Sequence, residues 1–437
     1  MITLKHSLRG WGWVLRIAPG LFTLLLGTQP VQAQSRTDTL SLTLKQTERI
    51  FLEKNLELLA QHYNIEASKA LVQQARLWDD PTLTTDQNVY SNNKWFEHGT
   101  NPDGTPKGQF FVQVQQLIKT AGKRGKQISM AQTGVNISQW RFTELMQHLK
   151  FQLRSDFHTL VQLQAVQDLY TEQDRQLDQL LAGMTGQFSA GNIARKDLLR
   201  VQALQVNLKQ QMADNLKQIE DSQSELKTLL QITGDTVLHP IPEVQSGQLR
   251  PSLNVASLVD TAKENNATYQ LGQLQVQYQR QNLAFQKALA VPDVTVGPSY
   301  DHNSNYTPHY VGLGLSLPLP ILNGNRGNIK AARWQVKQEE TNLSQADVRL
   351  QNDVASAYKK YQYTLQLQTG AHQDFYADYK KLQENIAESF RQRQISLLEF
   401  IDYFNDYEEV RTKQLQLQLD TQLAKEELNL QLGADIF

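Results

Sequence analysis

Between Val311 and Leu319 the sequence alternates without a break: Val311, Leu313, Leu315, Leu317 and Leu319 are apolar, while Gly312, Gly314, Ser316 and Pro318 are small. Successive side chains of an extended chain point to opposite faces, so one face is wholly hydrocarbon and the other nearly featureless. A run of about ten residues is what a tilted strand needs to cross a bilayer. The stretch Tyr310–Gly327 (YVGLGLSLPLPILNGNRG) leaves this pattern at Pro318 and Pro320, then turns through Gly324 and Gly327 around Arg326 into a long polar helical pattern. The sequence therefore predicts a membrane strand that hands over to a helix outside the membrane.

No conventional membrane span accompanies it. Met1–Ala33 reads as a secretory signal rather than a retained anchor: Lys5, Arg9 and Arg16 form a basic region, Ile17–Gly27 an apolar core, and Val31-Gln32-Ala33 a small-residue cleavage site. That core is too short to span, and no later stretch offers about 18 uninterrupted apolar residues. Cysteine is absent from the 437 residues. Disulfides and a lipid-modified N-terminal cysteine are thereby excluded, which restricts anchoring to strands. A net charge of −1 offers no reason to expect nucleic acid as a partner.

Taken in order, the chain runs through one programme twice. Leu42–Trp78 is helical in pattern and stops at Pro81. Thr82–Tyr90 alternates, a polar loop follows (Ser91–Gly108), and Gln109–Ile118 alternates again, giving a hairpin over 82–118. TAGKRG (Thr120–Gly125) turns the chain into a helical pattern from about Lys126 to Phe188, too long for an ordinary globular core and suited to a coiled coil or helical barrel. A tip at 189–195 and a helix over Asp197–Leu230 complete the first repeat, 34–231. A Pro-containing connector, 232–254, leads to the second repeat, 255–437: helix, hairpin over 293–319, long helix, tip at 391–396, last helix. Asn55 and Asn266, like Pro81 and Pro292, lie 211 residues apart. Beyond the hairpins Gly122 and Gly125 match Gly324 and Gly327, Phe188 matches Phe390, and Ile193 matches Ile395, all 202 apart. One internal duplication, with a longer first hairpin loop, explains both halves.

Four strands cannot close a barrel, and an open edge in lipid leaves backbone groups unpaired at several kcal/mol each. Barrels start at about eight strands. If the strands are membranous, several chains must combine. The Gln-rich helices with thin Leu, Ile and Val stripes point the same way, toward a tube enclosing water.

With these features in view, the chain resembles the TolC-type outer-membrane factor family over essentially its whole mature length. The resemblance is carried by the duplicated architecture, the LPLPILNGNRGNI corner, and the tips GQFSAGNIARKDLL and ESFRQRQISLLEFID. The corner is similar to that of the cobalt–zinc–cadmium (CzcC-like) branch. The resemblance implies a mainly α, internally duplicated fold with a transmembrane β portion. It implies a homotrimer with a twelve-stranded β-barrel in outer-membrane lipid, continued by a long periplasmic α-helical barrel. The implied partners are a periplasmic adaptor (membrane fusion) protein and an inner-membrane pump of the RND type. The implied role is a passive conduit without cofactor or catalysis, exporting divalent heavy-metal cations, with drugs or a secreted protein as the alternative cargo. An exported structural coiled-coil protein is the rival reading, and it has no use for the strands.

For single residues, the resemblance places Glu399 and Asp402 on paired acidic gate positions and Asp197 on their counterpart in the first half. Glu399 and Asp402 are also i,i+3 on a helix and share a face, although acids there favour the helix dipole in any case. Gly191, Asn192 and Ile193, with Arg393, Gln394 and Ile395, are expected at the adaptor-contacting tips; Gly122, Gly125, Pro318, Pro320, Gly324 and Gly327 form the barrel-to-helix corners. Phe390 and Ile395 stand where the family often has tyrosine and arginine, so a gate would be held here by packing. His302 and His309 with Asp301, and His98, are expected to be polar loop-tip residues and not an ordered metal site. Gly122–Gly125 lacks the spacing of a phosphate loop, and Lys123, Arg124 and Arg326 are expected at the membrane–periplasm boundary.

Overall fold

The computed structural model describes residues 38–91, 93–242, 254–370 and 373–436. The export signal expected at Met1–Ala33 and residues 243–253 of the connector lie outside the described residues. The first repeat comprises β1 (Thr39–Leu42), α1 (Leu44–Lys54), α2 (Leu56–Arg76), β2 (Thr82–Gln87), the two-residue strands β3 (Tyr90–Ser91), β4 (Lys94–Trp95), β5 (Gly99–Thr100) and β6 (Pro106–Lys107), then β7 (Phe110–Ile118), α3 (Lys123–Ser189) and α4 (Arg195–Leu230). After β8 (Val237–Pro240), the second repeat has α5 (Val255–Asn265), α6 (Ala267–Leu289), β9 (Val294–Asn303), β10 (Pro308–Ser316), α7 (Arg326–Gly370), α8 (Gln373–Arg391) and α9 (Leu397–Leu432). The 67 residues of α3 correspond to roughly 100 Å of helix. Among the described residues no helix is long and apolar enough to cross a membrane.

Three layers share one order. The sheet runs β2-β7-β9-β10. Beneath it α2 packs on α3, α3 on α6, and α6 on α7; lower still α4 packs on α3, α3 on α9, and α9 on both α7 and α8. Each layer is thus an open row of four places, the last of them in the lowest layer taken by α7 and α8 in succession, bordered on one side by first-repeat elements (β2, α2, α4) and on the other by second-repeat elements (β10, α7, α8). Apolar side chains stand exposed on both borders: Leu59, Tyr63 and Leu71 on α2, Leu199 and Val206 on α4, Trp334, Val348 and Leu367 on α7.

Register settles the two faces of the sheet. Leu83 pairs with Val114, Val112 with Tyr300, Val296 with Leu315, and Tyr300 with Val311. Directly opposed residues share a face, so hydrocarbon lines up across all four strands. The reverse face carries Thr84, Gln113, Ser299 and Gly312, again by direct pairing. A Cβ on Gly297, on this reverse face, would sit 1.9 Å from the Val114 carbonyl oxygen, so the close approach of β7 and β9 requires glycine. The strand ends differ from the sequence expectation. Val89 falls outside β2, the first loop contains two short ladders (β3-β4 and β5-β6), and the second loop is shorter than Asp301–His309, because β9 continues to Asn303 and β10 starts at Pro308. At the other end β10 stops at Ser316, before the proline corner.

The duplication recurs in single hydrogen bonds. Asn55 caps α2 by accepting from Leu58 N (3.0 Å) and donates through Nδ2 to Leu229 O (3.1 Å); Asn266 caps α6 by accepting from Tyr269 N (3.1 Å) and donates to Gln431 O (3.1 Å). Each asparagine bends one helix into the next and ties the bend to the end of the repeat's last helix. Gln231 and Gly433 close those last helices in the left-handed region, at φ 55° and 68°. The upper corners depart from the 202-residue register. Helix α3 starts at Lys123 after Gly122 (φ 65°), but α7 starts at Arg326 after Asn325 (φ 53°), 203 residues on. Asparagine tolerates the left-handed region better than other side-chain-bearing residues, and Asn325 Nδ2 donates to Gln286 O (2.8 Å), which holds the shifted corner on α6.

Two cores fill the middle, one per repeat, around Phe51, Leu153, Leu160 and Leu230 and around Leu258, Val354, Ala357 and Leu432. The first is closed by a feature the sequence did not suggest, a parallel β1-β8 ladder in which the Gln223 side chain both donates to Leu238 O and accepts from Leu238 N, each at 2.9 Å. Nearby, burial and secondarily the Glu225 carboxylate push the Asp156 carboxyl up to about 6. Burial draws His158 down to about 4 despite an opposing pull from Glu426. A carboxyl raised by folding loses its stabilising contribution as pH rises toward about 6, whereas a lowered histidine gains one between about 4 and 6.5. The two slopes oppose one another. Asp156→Asn removes the first, so melting temperatures should climb more steeply with pH from 4 to 6 than in the parent; parallel curves would show that Asp156 titrates normally.

Candidate functional site

The far end of the helices holds the two tips. In the first, Gly191 (φ 77°) donates to Phe188 O and Asn192 N to Gln187 O, both at 2.9 Å. In the second, Arg393 (φ 57°) donates to Phe390 O at 3.0 Å and Gln394 N to Ser389 O at 2.8 Å. These are the paired bonds of a Schellman helix end, repeated 202 residues on. Arginine adopts the left-handed conformation that its partner position gives to glycine, at a cost of about 1 kcal/mol. Arg393→Gly should therefore slow amide exchange at the second tip and raise its local stability by about 1 kcal/mol; faster exchange there would mean that the arginine side chain contributes more than its backbone costs.

The acidic residues are not equivalent. Ser396 caps α9 in a reciprocal box: Glu399 N donates to Ser396 Oγ (3.2 Å), and Ser396 N donates to the Glu399 carboxylate (2.7 Å). Those bonds hold the Glu399 carboxyl below its ordinary value, so it is ionised at neutral pH while serving as a helix cap. The S-x-x-E spacing of this box is legible in the sequence. Asp402 is exposed one turn further on, and Asp197 is half-buried in the first turn of α4, where the cap residue Ala194 offers no side-chain acceptor.

The tips meet through hydrocarbon. Ile193 from the first and Phe390, Ile395, Leu397 and Ile401 from the second pack on a shared cluster containing Met184, Leu198, Phe400 and Phe404. The rings of Phe390 and Phe400 lie 5.2 Å apart and those of Phe400 and Phe404 6.0 Å apart. Gly191, Asn192, Arg393 and Gln394 remain exposed around this seam.

At the opposite end of the helices, the corners below the sheet are pinned by polar bonds that the sequence did not reveal. Lys123 Nζ, buried, donates to Asp293 Oδ1 and Val291 O, both at 2.6 Å. Thr120 adds its N–H to Asp293 Oδ1 (2.8 Å) and its hydroxyl to Pro292 O (2.6 Å). Arg124 lies over the Trp78 ring, 4.5 Å from its centroid, and its guanidinium donates to Arg76 O. Pro318 and Pro320 are exposed beyond β10, and Gly324 turns there at φ 48°. Gly125 and Gly327 lie inside the first turns of α3 and α7 with open space where a Cβ would be, so neither corner needs them for room. Among the described residues no three His, Asp or Glu side chains gather to hold a metal ion.

A four-stranded sheet with one hydrocarbon face, continued by two duplicated helical hairpins that end in an apolar seam, is the subunit fold of an outer-membrane channel. The family of outer membrane efflux proteins matches residues 49–231 and 258–434, one segment in each repeat, and the chain belongs to that family. It is thereby an outer-membrane protein. Among solved structures, the Campylobacter jejuni CmeC outer membrane channel superposes with a TM-score of 0.75 at 12% identity, over 90% of this chain and 86% of that one. CusC, described in terms of folding and transmembrane channel formation, gives 0.71 at 15% identity over 90% and 92%. The open state of the Neisseria gonorrhoeae MtrE outer membrane channel gives 0.69 at 15% over 90% and 89%. At such identities the likeness is one of fold. No curated protein sequence matches the chain.

Proposed function

We propose that three copies of this chain close into a twelve-stranded barrel and a coaxial helical tube, forming the passive outer conduit of a tripartite efflux system. The observation that carries this reading is the common order of the three layers. Because every layer presents first-repeat elements on one border and second-repeat elements on the other, copies join head to tail around a ring. One such interface pairs β10 with the neighbour's β2 and covers the exposed apolar residues of α2, α4 and α7. The number three comes from the family resemblance. Native mass measurement of the detergent-extracted protein tests it: three chains are expected, and a stable monomer or dimer would overturn it. The absence of cysteine makes engineered cross-border disulfides an unambiguous second readout.

The tips then face the periplasm, where Gly191–Ile193 and Arg393–Ile395 dock on an adaptor linked to an inner-membrane pump of the RND type. Divalent heavy-metal cations are the proposed cargo, on the similarity of the Leu-Pro-Leu-Pro corner to the cobalt–zinc–cadmium branch. A deletion strain challenged with zinc, cobalt, cadmium, nickel and copper beside lipophilic drugs decides between cargoes: selective metal sensitivity supports this reading, and drug sensitivity alone replaces it. In the trimer Glu399 and Asp402 supply six carboxylates near the narrow end, which raises local cation concentration. Glu399→Gln with Asp402→Asn should lower cation preference in bilayer recordings. Since Glu399 is also a cap, Asp402→Asn alone should retain most of that effect; unchanged selectivity in both would reduce these acids to helix-end residues.

A further inference from the structure

We propose that His302 and His309 form a two-histidine site for a divalent transition-metal ion at the outer rim of the barrel, with Tyr300 orienting it. The sequence places these residues at either side of a loop. The sheet instead makes them neighbours, because Asn303 pairs with Pro308 and Asp301 with Tyr310, which leaves residues 302 and 309 opposed between the two bridges. Their ring centroids are 4.9 Å apart at an interplanar angle of 73°. With metal–nitrogen bonds of ~2.1 Å and a ring nitrogen ~1.1 Å from its centroid, two imidazoles bound at ~90–110° have centroids ~4.5–5.2 Å apart. The pair already has that spacing.

Two further observations favour a ligand. The Tyr300 hydroxyl is 2.8 Å from His309 Nδ1. With the Nδ1–H donating to the tyrosine oxygen, Nε2 carries the free lone pair and the ring is held in place, the part that a carboxylate or carbonyl more often plays behind a metal-bound histidine. In addition, His309 is held at φ 54°, a conformation that costs a side-chain-bearing residue about 1 kcal/mol. Strain of this kind concentrates at functional positions. The neighbouring Asp301 alternates to the opposite face of the hairpin, paired with Tyr310, and its Oδ1 accepts from Gln109 Nε2 (2.8 Å) and from Asn303 N (3.1 Å).

The donor chemistry selects the ion. Neutral imidazoles suit Zn²⁺, Cu²⁺ and Ni²⁺ and not the hard Mg²⁺ or Ca²⁺. Two protein donors leave the remaining positions to water, so the site is open and exchangeable. Tyr300 pairs with Val311 on the hydrocarbon face, and the histidines follow one pair further toward the loop. The ion would therefore sit at headgroup level outside the lumen, taken from the external medium and clipping the second hairpin shut. It does not depend on the cargo proposed above.

The test is Cu²⁺ titration of the intact detergent-extracted protein, read by calorimetry and by electron paramagnetic resonance. The expected result is one tight ion per chain with hyperfine structure from at least two nitrogens. His302→Ala and His309→Ala should each weaken that ion on the order of tenfold or more and reduce the nitrogen count; Tyr300→Phe should weaken it less and keep both nitrogens. Equal binding by the parent and both alanine variants would overturn the proposal, as would loss of the tight ion on His98→Ala instead. A parent spectrum without paired nitrogens sinks it even if the variants do not assemble.

Discussion

Replacing Arg154 by methionine should cost about 3–5 kcal/mol and loosen the middle of the molecule, because it strands a buried carboxylate. Arg154 joins four separate parts of the chain. From α3 its Nε reaches Glu48 in α1, and its Nη1 reaches Glu426 in α9 (2.7 Å) and Asp435 beyond α9 (2.9 Å). The side chain of Glu426 is only 3% exposed, and its other bond is a weaker one from Asn429 Nδ2 at 3.3 Å. Burial alone would lower the Arg154 pKa, but Glu426 and Glu48 hold it above its ordinary value. Methionine fills similar volume without charge, so the loss measures the stranded Glu426 more than a cavity. Adding Glu426→Gln to Arg154→Met should restore a large part of the stability, and the double-mutant cycle gives the coupling directly. A single-variant loss below about 1 kcal/mol would mean that Glu426 finds water or a proton when the arginine is absent.

The second large effect is expected at the tips. Phe404 is fully buried beneath the seam that joins them, and truncation of such a ring to alanine costs about 3–5 kcal/mol. If packing keeps the periplasmic end narrow, Phe404→Ala should raise single-channel conductance in planar bilayers while leaving the assembled mass unchanged. Phe404→Leu, which preserves most of the volume, should do so much less. The comparison separates a packing lock from a polar one, because Phe390 and Ile395 already lie in hydrocarbon with Phe400 and Phe404. Destabilised tips with parental conductance would place the constriction elsewhere.

Much of this arrangement is written locally. The period-two run through Leu313 and Leu315 specifies a strand with one lipid face; the offsets linking Asn55 to Asn266 and Phe188 to Phe390 specify a repeat; and the glycine after a long helical pattern specifies a tip. Such signals survive in sequence because each depends on side chains a few residues apart, or on copies of the same local solution. The capping function of Ser396 and Glu399 belongs to the same class, since its i,i+3 spacing is its mechanism. What could not be read are pairings between distant segments. Lys123 with Asp293, Arg154 with Glu48 and Glu426, and Gln223 with the backbone of Leu238 join residues whose neighbours in sequence say nothing of each other.

The sequence by itself determined the strand and helix content, the duplication and the membrane-facing side of the sheet, because hydrophobic periodicity and turn chemistry act over a single element. Tertiary structure alone decided the common order of the three layers, the one-residue shift at the second corner and the meeting of His302 with His309. Those features depend on strand register and helix packing, and register is a relation between segments that no single segment encodes.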